Sequence, residues 1–422
     1  MELLSFSNLF IISVIALIAP VLVAFTPRLM IPGVVVEILA GIIVGPSVLG
    51  WVEVDLPVEV LSVLGLSFLA FLAGLEIDVQ GIRGRLLTLS LVGFVISLAL
   101  GFGLGAVFDG LGWGGTPLLF AVILSATALG LVVPVLKDAG QVTSVVGQTV
   151  LAAATVADFG ALLLLSVLFT ASGSSTESRI VLLGGFVTLV VATGLVLSQA
   201  RRLPRIGDLV VSLQDTTAAI RIRASVVLLV GFAALAGLFG LESILGAFFA
   251  GAIIATLDRD TTTHPHYRTK LEAIGYGFLI PVFFVSSGVS LDLAGLVDNP
   301  SNLLQVPVFF LALLLVRGVP ALLFLPTFGR TGTAATALLQ ATSLPFIVAA
   351  AQIGEAVGLL DPVTGAALVS AGLLSVLLFP ASALSLLNRM GRPASEPDAS
   401  EAASDPPDAQ PMEALSQESE SM

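Results

Sequence analysis

The sequence predicts an all-α integral membrane protein of about thirteen transmembrane helices, arranged as two repeats of opposite topology. Composition gives the first evidence: 56% of the 422 residues are apolar and 11% are charged, which would leave a soluble protein of this size without a polar surface. The apolar residues also fall into segments of about 20, the length needed to cross the hydrocarbon. Finally, short motifs from the first half recur in the second half. The lipid bilayer is therefore the expected surrounding of this chain.

The predicted segments alternate with loops of contrasting charge. Loops after odd-numbered segments, together with the C-terminal flank, hold fifteen of the seventeen Lys and Arg residues, whereas loops after even-numbered segments hold only Arg179. Basic residues collect on the cytoplasmic side, so the N-terminus is predicted outside and the C-terminus in the cytoplasm of the cell (inner or plasma) membrane. The segments lie at residues 7–26, 30–47, 60–78, 86–109, 116–136, 145–170, 179–199, 223–240, 242–257, 271–289, 303–326, 331–356 and 362–388.

Three motifs recur at an offset of 210 to 215 residues. An odd number of segments separates the members of each pair, so the two copies are predicted to have opposite topology, as in many secondary transporters. The division that follows is a transmembrane domain at 1–392, with repeat one at 7–170, a linker at 171–222 and repeat two at 223–388. The paired motifs are AGLEIDVQGI (73–82) with SGVSLDLAGL (287–296), LSATAL (124–129) with LQATSL (339–344), and ILAGIIVG (38–45) with FFAGAIIA (248–255).

Two repeat-matched segments, 116–136 and 331–356, carry helix breakers beside hydroxyl side chains. We predict that both are discontinuous crossing helices, whose unwound backbone and hydroxyl groups offer oxygen ligands near the bilayer centre. The alternative is a pair of kinked helices whose Ser and Thr side chains bond to their own backbone. The residues concerned are Ser125, Thr127, Gly130 and Pro134 in the first segment, and Thr342, Ser343 and Pro345 in the second.

Two ionisable residues lie midway along apolar segments. A charge at such a position costs roughly 2.5 to 3.5 kcal/mol on insertion scales, so each is a functional candidate. Asp158 lies in VLAAATVADFGALLLL and Arg317 in FFLALLLVRGVPALLF. Neither has a charged counterpart in the other repeat. In the alternative reading, the two residues neutralise each other as a buried pair that fixes helix packing.

Three further acids, Glu37, Glu242 and Glu355, lie within or at the ends of apolar segments. Interfacial or packing roles are the favoured reading, and access of protons or cations is the alternative. Residues 393–422 form an acidic segment, rich in Pro and Ser and without Lys or Arg, which predicts a disordered cytoplasmic tail. This acidity argues against nucleic-acid binding. No hydrolytic triad, nucleotide loop or cysteine is found, so the sequence predicts neither an enzyme nor a bound cofactor.

Several motifs in order resemble the monovalent cation/proton antiporter superfamily over residues 7–390. Within it, FLAGLE resembles the bacterial branch of the sodium/hydrogen exchanger family that contains Kef-type and Nap-type antiporters. The resemblance implies a homodimer, with Asp158 binding cation and proton in turn, Thr127 in the unwound crossing and Arg317 as a fixed cation. The motifs are GPSVLG, FLAFLAGLEIDV, SATALGLVVPVLKD, LAAATVADFGALLLL, LGAFFAGAIIA and IPVFFVSSGVSLDL.

The chain departs from the family pattern at three places. Ala157 stands where members usually have Asp, Asn or Gln, and Thr155, one helical turn before Asp158, is the expected substitute. The acid that a related branch carries near Leu72 is missing. No strand or glycine-rich loop follows Arg392, so no nucleotide-binding domain is predicted in this chain.

A single carboxylate, Asp158, in a low-dielectric pocket predicts exchange of cations for protons, because protons and dehydrated cations compete for the same negative charge. A single carboxylate with neutral oxygens suits a monovalent ion, since calcium and magnesium sites need more negative charge. The choice among Na⁺, K⁺ and Li⁺ stays open. The alternatives from other classes are a channel-like K⁺ efflux system, a cation-coupled symporter for an organic anion, and a non-transporting receptor.

Overall fold

The computed structural model describes residues 5–25, 32–76, 84–168, 176–200, 219–257 and 267–390. Helices account for nearly all of these residues, and each of the thirteen predicted segments overlaps at least one of them. The helices are α1 (Ser7–Phe25), α2 (Gly33–Val44), α3 (Leu56–Leu75), α4 (Arg85–Gly110), α5 (Pro117–Ser125), α6 (Leu129–Asp138), α7 (Val145–Leu168), α8 (Thr176–Ala200), α9 (Ile220–Leu238), α10 (Ser243–Leu257), α11 (Tyr267–Ile274), α12 (Ile280–Val289), α13 (Leu293–Asp298), α14 (Pro300–Ala321), α15 (Leu325–Ala341), α16 (Pro345–Ala356) and α17 (Pro362–Met390).

Within the described residues, eight helical stretches are long and apolar enough to cross a membrane, and four shorter apolar helices accompany them. The predicted class, an all-helical multi-pass membrane protein, is confirmed. The number of thirteen crossings stays a prediction. The acidic tail at 393–422, residues 201–218 of the linker, and Asp78 and Gly81 of the repeat motif lie outside the described residues.

Both predicted crossing helices are discontinuous. The first divides into α5 and α6 around Ala126–Ala128, and the second into α15 and α16 around Thr342–Leu344. The two breaks touch each other, because the N–H of Ala128 donates to the carbonyl of Thr342 at 2.9 Å. One backbone group freed in each helix is therefore satisfied by the break of the other helix, and partners of this kind allow unwound backbone inside a membrane.

Several helices begin with local capping signals. A proline in the first turn lacks the N–H that a helix start leaves unpaired, as in α3, α5, α14 and α16. The side chains of Asp55, Thr116 and Asp292 also accept hydrogen bonds from the first turns of α3, α5 and α13. These caps lie at the loops that follow even-numbered segments.

The helices form two packed groups. Helices α1–α3 and α9–α12 pack on one another, and we name them the glycine bundle. Helices α4–α7 and α14–α17, which include both broken helices, form the crossing bundle. The crossing bundle contains an aromatic cluster in which Phe108, Trp113, Phe120 and Phe309 stack or meet edge to face, with ring centroids 5.1 to 5.7 Å apart.

Two close helix crossings explain the glycines of the repeated motifs. Gly41 of α2 crosses Gly288 of α12, where an added Cβ on either residue would lie 2.2 Å from a carbonyl oxygen of the other helix. Gly251 of α10 crosses Gly74 of α3, with corresponding distances of 2.0 and 2.1 Å. The repeat alignment pairs Gly41 with Gly251 and Gly74 with Gly288. Each crossing therefore joins one repeat to the other in the same way.

Candidate ion-binding site

A cavity of about 140 Å³ lies between the two bundles. Its polar side chains are Glu76, Thr127, Asp158 and Tyr276, and the rest of its lining is apolar. Glu76 follows the end of α3, and Arg268 of α11 donates to the carbonyl of Leu75 beside it, so the cavity extends toward a side of the protein that carries basic side chains. We name this side the basic face. A water needs roughly 10 to 15 Å³ of such volume, so the cavity has room for a cation and several waters.

Asp158 of α7 faces the start of α6. Its Oδ1 accepts a hydrogen bond from the N–H of Thr127 at 3.0 Å, and its Oδ2 accepts one from the N–H of Leu129 at 3.2 Å. Both donors are free because the break leaves the first turn of α6 without intrahelical partners. A helix N-terminus carries partial positive charge and favours an anion. The broken helix therefore supplies the polar environment that a carboxylate needs inside apolar surroundings.

The cost of burying the Asp158 carboxylate and the free energy contributed by its hydrogen bonds are of comparable size. Placing a carboxylate at the centre of a membrane helix costs roughly 2.5 to 3.5 kcal/mol. Hydrogen bonds to charged groups contribute about 1.5 to 3 kcal/mol each. The two bonds to Asp158 together contribute about 3 to 6 kcal/mol, which is enough to offset the cost of the bare carboxylate. A proton or a cation that neutralises the same charge can compete with this arrangement.

Arg317 of α14 is 1% exposed and is held by the crossing itself. Its Nε donates to Thr127 Oγ1 at 2.9 Å and to the carbonyl of Gln340 at 3.4 Å, and its Nη1 donates to Ser97 Oγ at 3.2 Å. Among the described residues, no hydrogen bond joins Arg317 to Asp158. The buried-pair alternative is therefore not what this conformation shows. Thr127 stands between the two charges, with its N–H on Asp158 and its hydroxyl on Arg317.

Some predicted residues lie away from the cavity. Ser125 Oγ donates to Val122 O at 3.0 Å, and Thr155 Oγ1 donates to Leu151 O at 2.8 Å, so both hydroxyls are bound to their own helices. Neither residue lines the cavity. Of the residues predicted in the first crossing segment, Thr127 and Gly130 line the cavity, whereas Pro134 lies further along α6.

In the second crossing segment, only Pro345 of the predicted residues lines the cavity. Thr342 Oγ1 donates to Leu338 O at 3.0 Å, while its carbonyl accepts from Ala128. The N–H of Ser343 donates to Ser375 Oγ at 3.3 Å, and its own hydroxyl has no partner. The second break therefore supports the first, and its hydroxyl groups do not face the site in this conformation.

Three residues of the site were not predicted from the sequence. Tyr276 lines the cavity from the π-helical turn Gly275–Leu279, and its hydroxyl lies 3.9 Å from where a Cβ on Gly130 would be. Single-turn π-helices are frequent at functional sites. Ser97 and Gln340 bind Arg317. Gln340 belongs to the repeated motif LQATSL, which was the one signal that pointed to it.

Comparison with known proteins identifies the family. The profile described as "Sodium/hydrogen exchanger, transmembrane" matches residues 13–388. The chain belongs to this family. It is 31% identical over 408 residues to the putative Na⁺/H⁺ antiporter YjbQ of Bacillus subtilis, covering 92% of this chain and 64% of that protein's length. It is 30% identical over 357 residues to the probable Na⁺/H⁺ antiporter 3 of Methanocaldococcus jannaschii, covering 83% of this chain and 88% of the relative.

The fold also matches a solved antiporter structure. The sodium proton antiporter MjNhaP1 from Methanocaldococcus jannaschii, determined at pH 8, superposes with a TM-score of 0.63, at 18% identity. The match covers 90% of this chain and 98% of MjNhaP1. The predicted resemblance to cation/proton antiporters is therefore confirmed, and the chain is a multi-pass membrane protein of a transporter family.

Position 157, next to Asp158, holds an alanine. Ala157 is fully buried, with 0% exposure, and does not line the cavity. The polar groups that contact the Asp158 carboxylate are the backbone N–H groups of Thr127 and Leu129, at the start of α6. Position 157 therefore adds no polar group beside Asp158 in this structure.

Proposed function

We propose that this protein exchanges a monovalent cation, Na⁺ or K⁺, for H⁺ by alternating access, with Asp158 as the shared site. The observation that carries the proposal is that Asp158 lies in the cavity at the break between α5 and α6 and, among the described residues, accepts hydrogen bonds from backbone N–H groups alone. The other acid that lines the cavity, Glu76, lies at the end of α3, toward the basic face. The names of the relatives, which are Na⁺/H⁺ antiporters, support the same reading.

Exchange follows from the competition at this carboxylate. When a proton binds, it forms an O–H bond on Asp158, and the cation leaves; when a cation binds, the proton is released to water. Either occupant neutralises the site, while the bare carboxylate carries an uncompensated charge that opposes movement through the apolar barrier. A site that holds a proton or a cation can therefore become exposed to the other side of the membrane, whereas an unoccupied site cannot. No further energy source is needed for coupled exchange.

Arg317 is proposed as a structural cation. It is 1% exposed, bound to Thr127, Ser97 and Gln340, and absent from the lining of the cavity. An organic anion in the cavity would not reach a guanidinium held in this way. This arrangement disfavours the symporter alternative, for which Arg317 was the one candidate anion-binding residue.

We further propose that the basic face is cytoplasmic, following the distribution of Lys and Arg. The cavity of this structure then opens toward the cytoplasm. A homodimer in the cell membrane, and the division into repeats at 7–170 and 223–388, are part of the same proposal and rest on the family resemblance and the recurring motifs.

The test is reconstitution into vesicles that enclose a pH dye, with Na⁺, K⁺, Li⁺ or an organic anion added one at a time. We expect cation-dependent proton movement in the wild type and none in Asp158→Asn, because the amide keeps the shape but cannot alternate between proton and cation. Asp109→Asn, at an exposed acid near the end of α4, is the matched control and should exchange normally. Appreciable exchange in Asp158→Asn would overturn the site, and a conductive current with little proton coupling would indicate a channel.

A further inference from the structure

Glu37 is a buried carboxylate that the proposed mechanism does not use. It lies on α2, is 8% exposed, and makes no hydrogen bond or ion pair in the part of the chain that the structure describes. The helices that pack most closely on α2 are α1 and α12, which contain no ionisable residue. Helix α17 contributes only Arg389, at its far end, and α16 carries Glu355 near its last turn. A lone acid in such surroundings is expensive and is a candidate for function.

Glu37 lies at the depth where the cavity ends. The crossing of Gly41 with Gly288 gives a common reference level on α2 and α12. Glu37 precedes Gly41 by four residues, and Phe284 precedes Gly288 by four, so both lie about 6 Å from the crossing. Phe284 lines the cavity, as does Val34, one turn before Glu37 on the side of the basic face. Glu37 is not among the lining residues, but its position on α2 is level with the end of the cavity remote from that face.

A hydrogen bond joins the two bundles beyond this level. Gln352 Nε2 of α16 donates to Ser287 Oγ of α12 at 3.0 Å. Each residue lies three positions beyond a cavity-lining residue of its own helix, Ala349 and Phe284, in the direction away from the basic face. Helix α16 belongs to the crossing bundle and α12 to the glycine bundle, so this bond must break if the bundles move apart on that side.

We propose that Glu37 is a second proton-carrying residue, which serves the half of the pathway leading to the face opposite the basic one, and that the Gln352–Ser287 bond closes this half in the present conformation. The inference rests on the proposed exchange function. When the bond opens, Glu37 takes a proton from water on the opposite face. The proton then passes through water to Asp158: the O–H bond on Glu37 breaks, one forms on Asp158, and Glu37 is free to take another proton. The net count of one proton per cycle is unchanged.

The first experiment measures access to position 37 without measuring transport. Because the chain has no native cysteine, Glu37→Cys carries a single thiol. Its labelling by a membrane-impermeant maleimide added at the opposite face should rise roughly two- to tenfold when Gln352→Ala removes the closing bond, since that is the shift expected from one net hydrogen bond. Ser286→Ala is the control: its bond to Ser62, at 2.8 Å, lies within the glycine bundle and should leave the rate unchanged. Equal labelling in all three backgrounds would refute the closing bond.

The second experiment compares exchange as a function of pH on each side of oriented vesicles. Glu37→Gln should change the dependence on pH at the opposite face and leave the dependence at the basic face as in the wild type. Glu59→Gln, at an exposed acid in the first turn of α3, is the matched control and should behave as the wild type on both sides. An unchanged profile in Glu37→Gln would refute the role of Glu37. Failure of the wild type to exchange any cation would instead refute the proposed function, and the labelling result would still decide whether the pathway passes position 37.

Discussion

Thr127 Oγ1 accepts a hydrogen bond of 2.9 Å from Arg317 Nε. The same hydroxyl donates to the carbonyl of Gln340 at 2.8 Å, and the N–H of the same residue donates to Asp158. One threonine thus connects the buried cation, the second broken helix and the candidate transport carboxylate. Asp158 and Arg317 therefore share Thr127 as a hydrogen-bond partner.

Substitutions at Thr127 should distinguish the role of its side-chain hydroxyl from the role of its backbone N–H. Thr127→Ala removes one acceptor from the buried guanidinium, which costs about 1 to 3 kcal/mol, so we expect lower thermal stability and weaker apparent cation affinity. Thr127→Ser keeps the hydroxyl and should lie close to the wild type. Thr155→Ala is the matched control, because Thr155 bonds only to Leu151 O. Thermal unfolding in detergent and cation titration of exchange measure both effects; equal affinities in Thr127→Ala and Thr155→Ala would contradict the assignment.

Arg317 should not be replaceable by lysine. Arg317→Lys keeps the charge but cannot reproduce donors that point to Thr127 and Ser97 at once. We expect a loss of roughly 1.5 to 3 kcal/mol in stability for a lost bond to a charged group. The measurement is the unfolding temperature together with the maximal exchange rate. Arg330→Lys, at an exposed arginine of α15, provides the control, and wild-type stability in Arg317→Lys would show that the charge alone matters.

The glycine crossings should tolerate no side chain. In Gly288→Ala the new Cβ would lie 2.2 Å from the carbonyl oxygen of Ile38, so α2 and α12 must separate, at a cost of about 1 to 3 kcal/mol or more. Gly251→Ala should act in the same way at the equivalent crossing, where the Cβ would lie 2.0 Å from the oxygen of Phe71. Gly231→Ala, on α9, meets no atom within 4 Å and is the control. Yield and unfolding temperature report the result, and normal stability of both crossing variants would contradict the close packing.

Exchange should be electroneutral, with one proton for each monovalent cation. Asp158 with a cation has the same net charge as Asp158 with a proton, and a guanidinium such as Arg317 does not release its proton. Ala157 removes the adjacent second acid that a two-proton cycle could use. A potassium–valinomycin potential imposed on sodium-loaded vesicles should leave the transport rate and the final pH gradient unchanged. A shift with voltage would require a second titrating group, for which Glu76 of the cavity and the acids Glu37, Glu242 and Glu355 are the residues to replace.

The sequence by itself determined the membrane class, the helical segments, the discontinuity of both crossing helices and the family. These depend on apolar length, on the placement of Lys and Arg, and on Gly130, Pro134 and Pro345 beside repeated motifs, all of which are properties of short stretches of chain. The motif containing Asp158 likewise pointed to the candidate site, because an acid in the middle of an apolar segment is conspicuous without any knowledge of its neighbours.

Only the tertiary structure decided which groups meet. Arg317 and Thr127 are separated by 190 positions, and nothing local shows that the guanidinium binds the threonine and not Asp158. Thr155 is one helical turn from Asp158, yet its hydroxyl donates to the carbonyl of Leu151 in its own helix and not to the carboxylate. Hydroxyl orientation and helix crossings depend on the packing of distant segments. Hydropathy and repeats therefore predict which helices form, while the three-dimensional packing determines which of their side chains form a site.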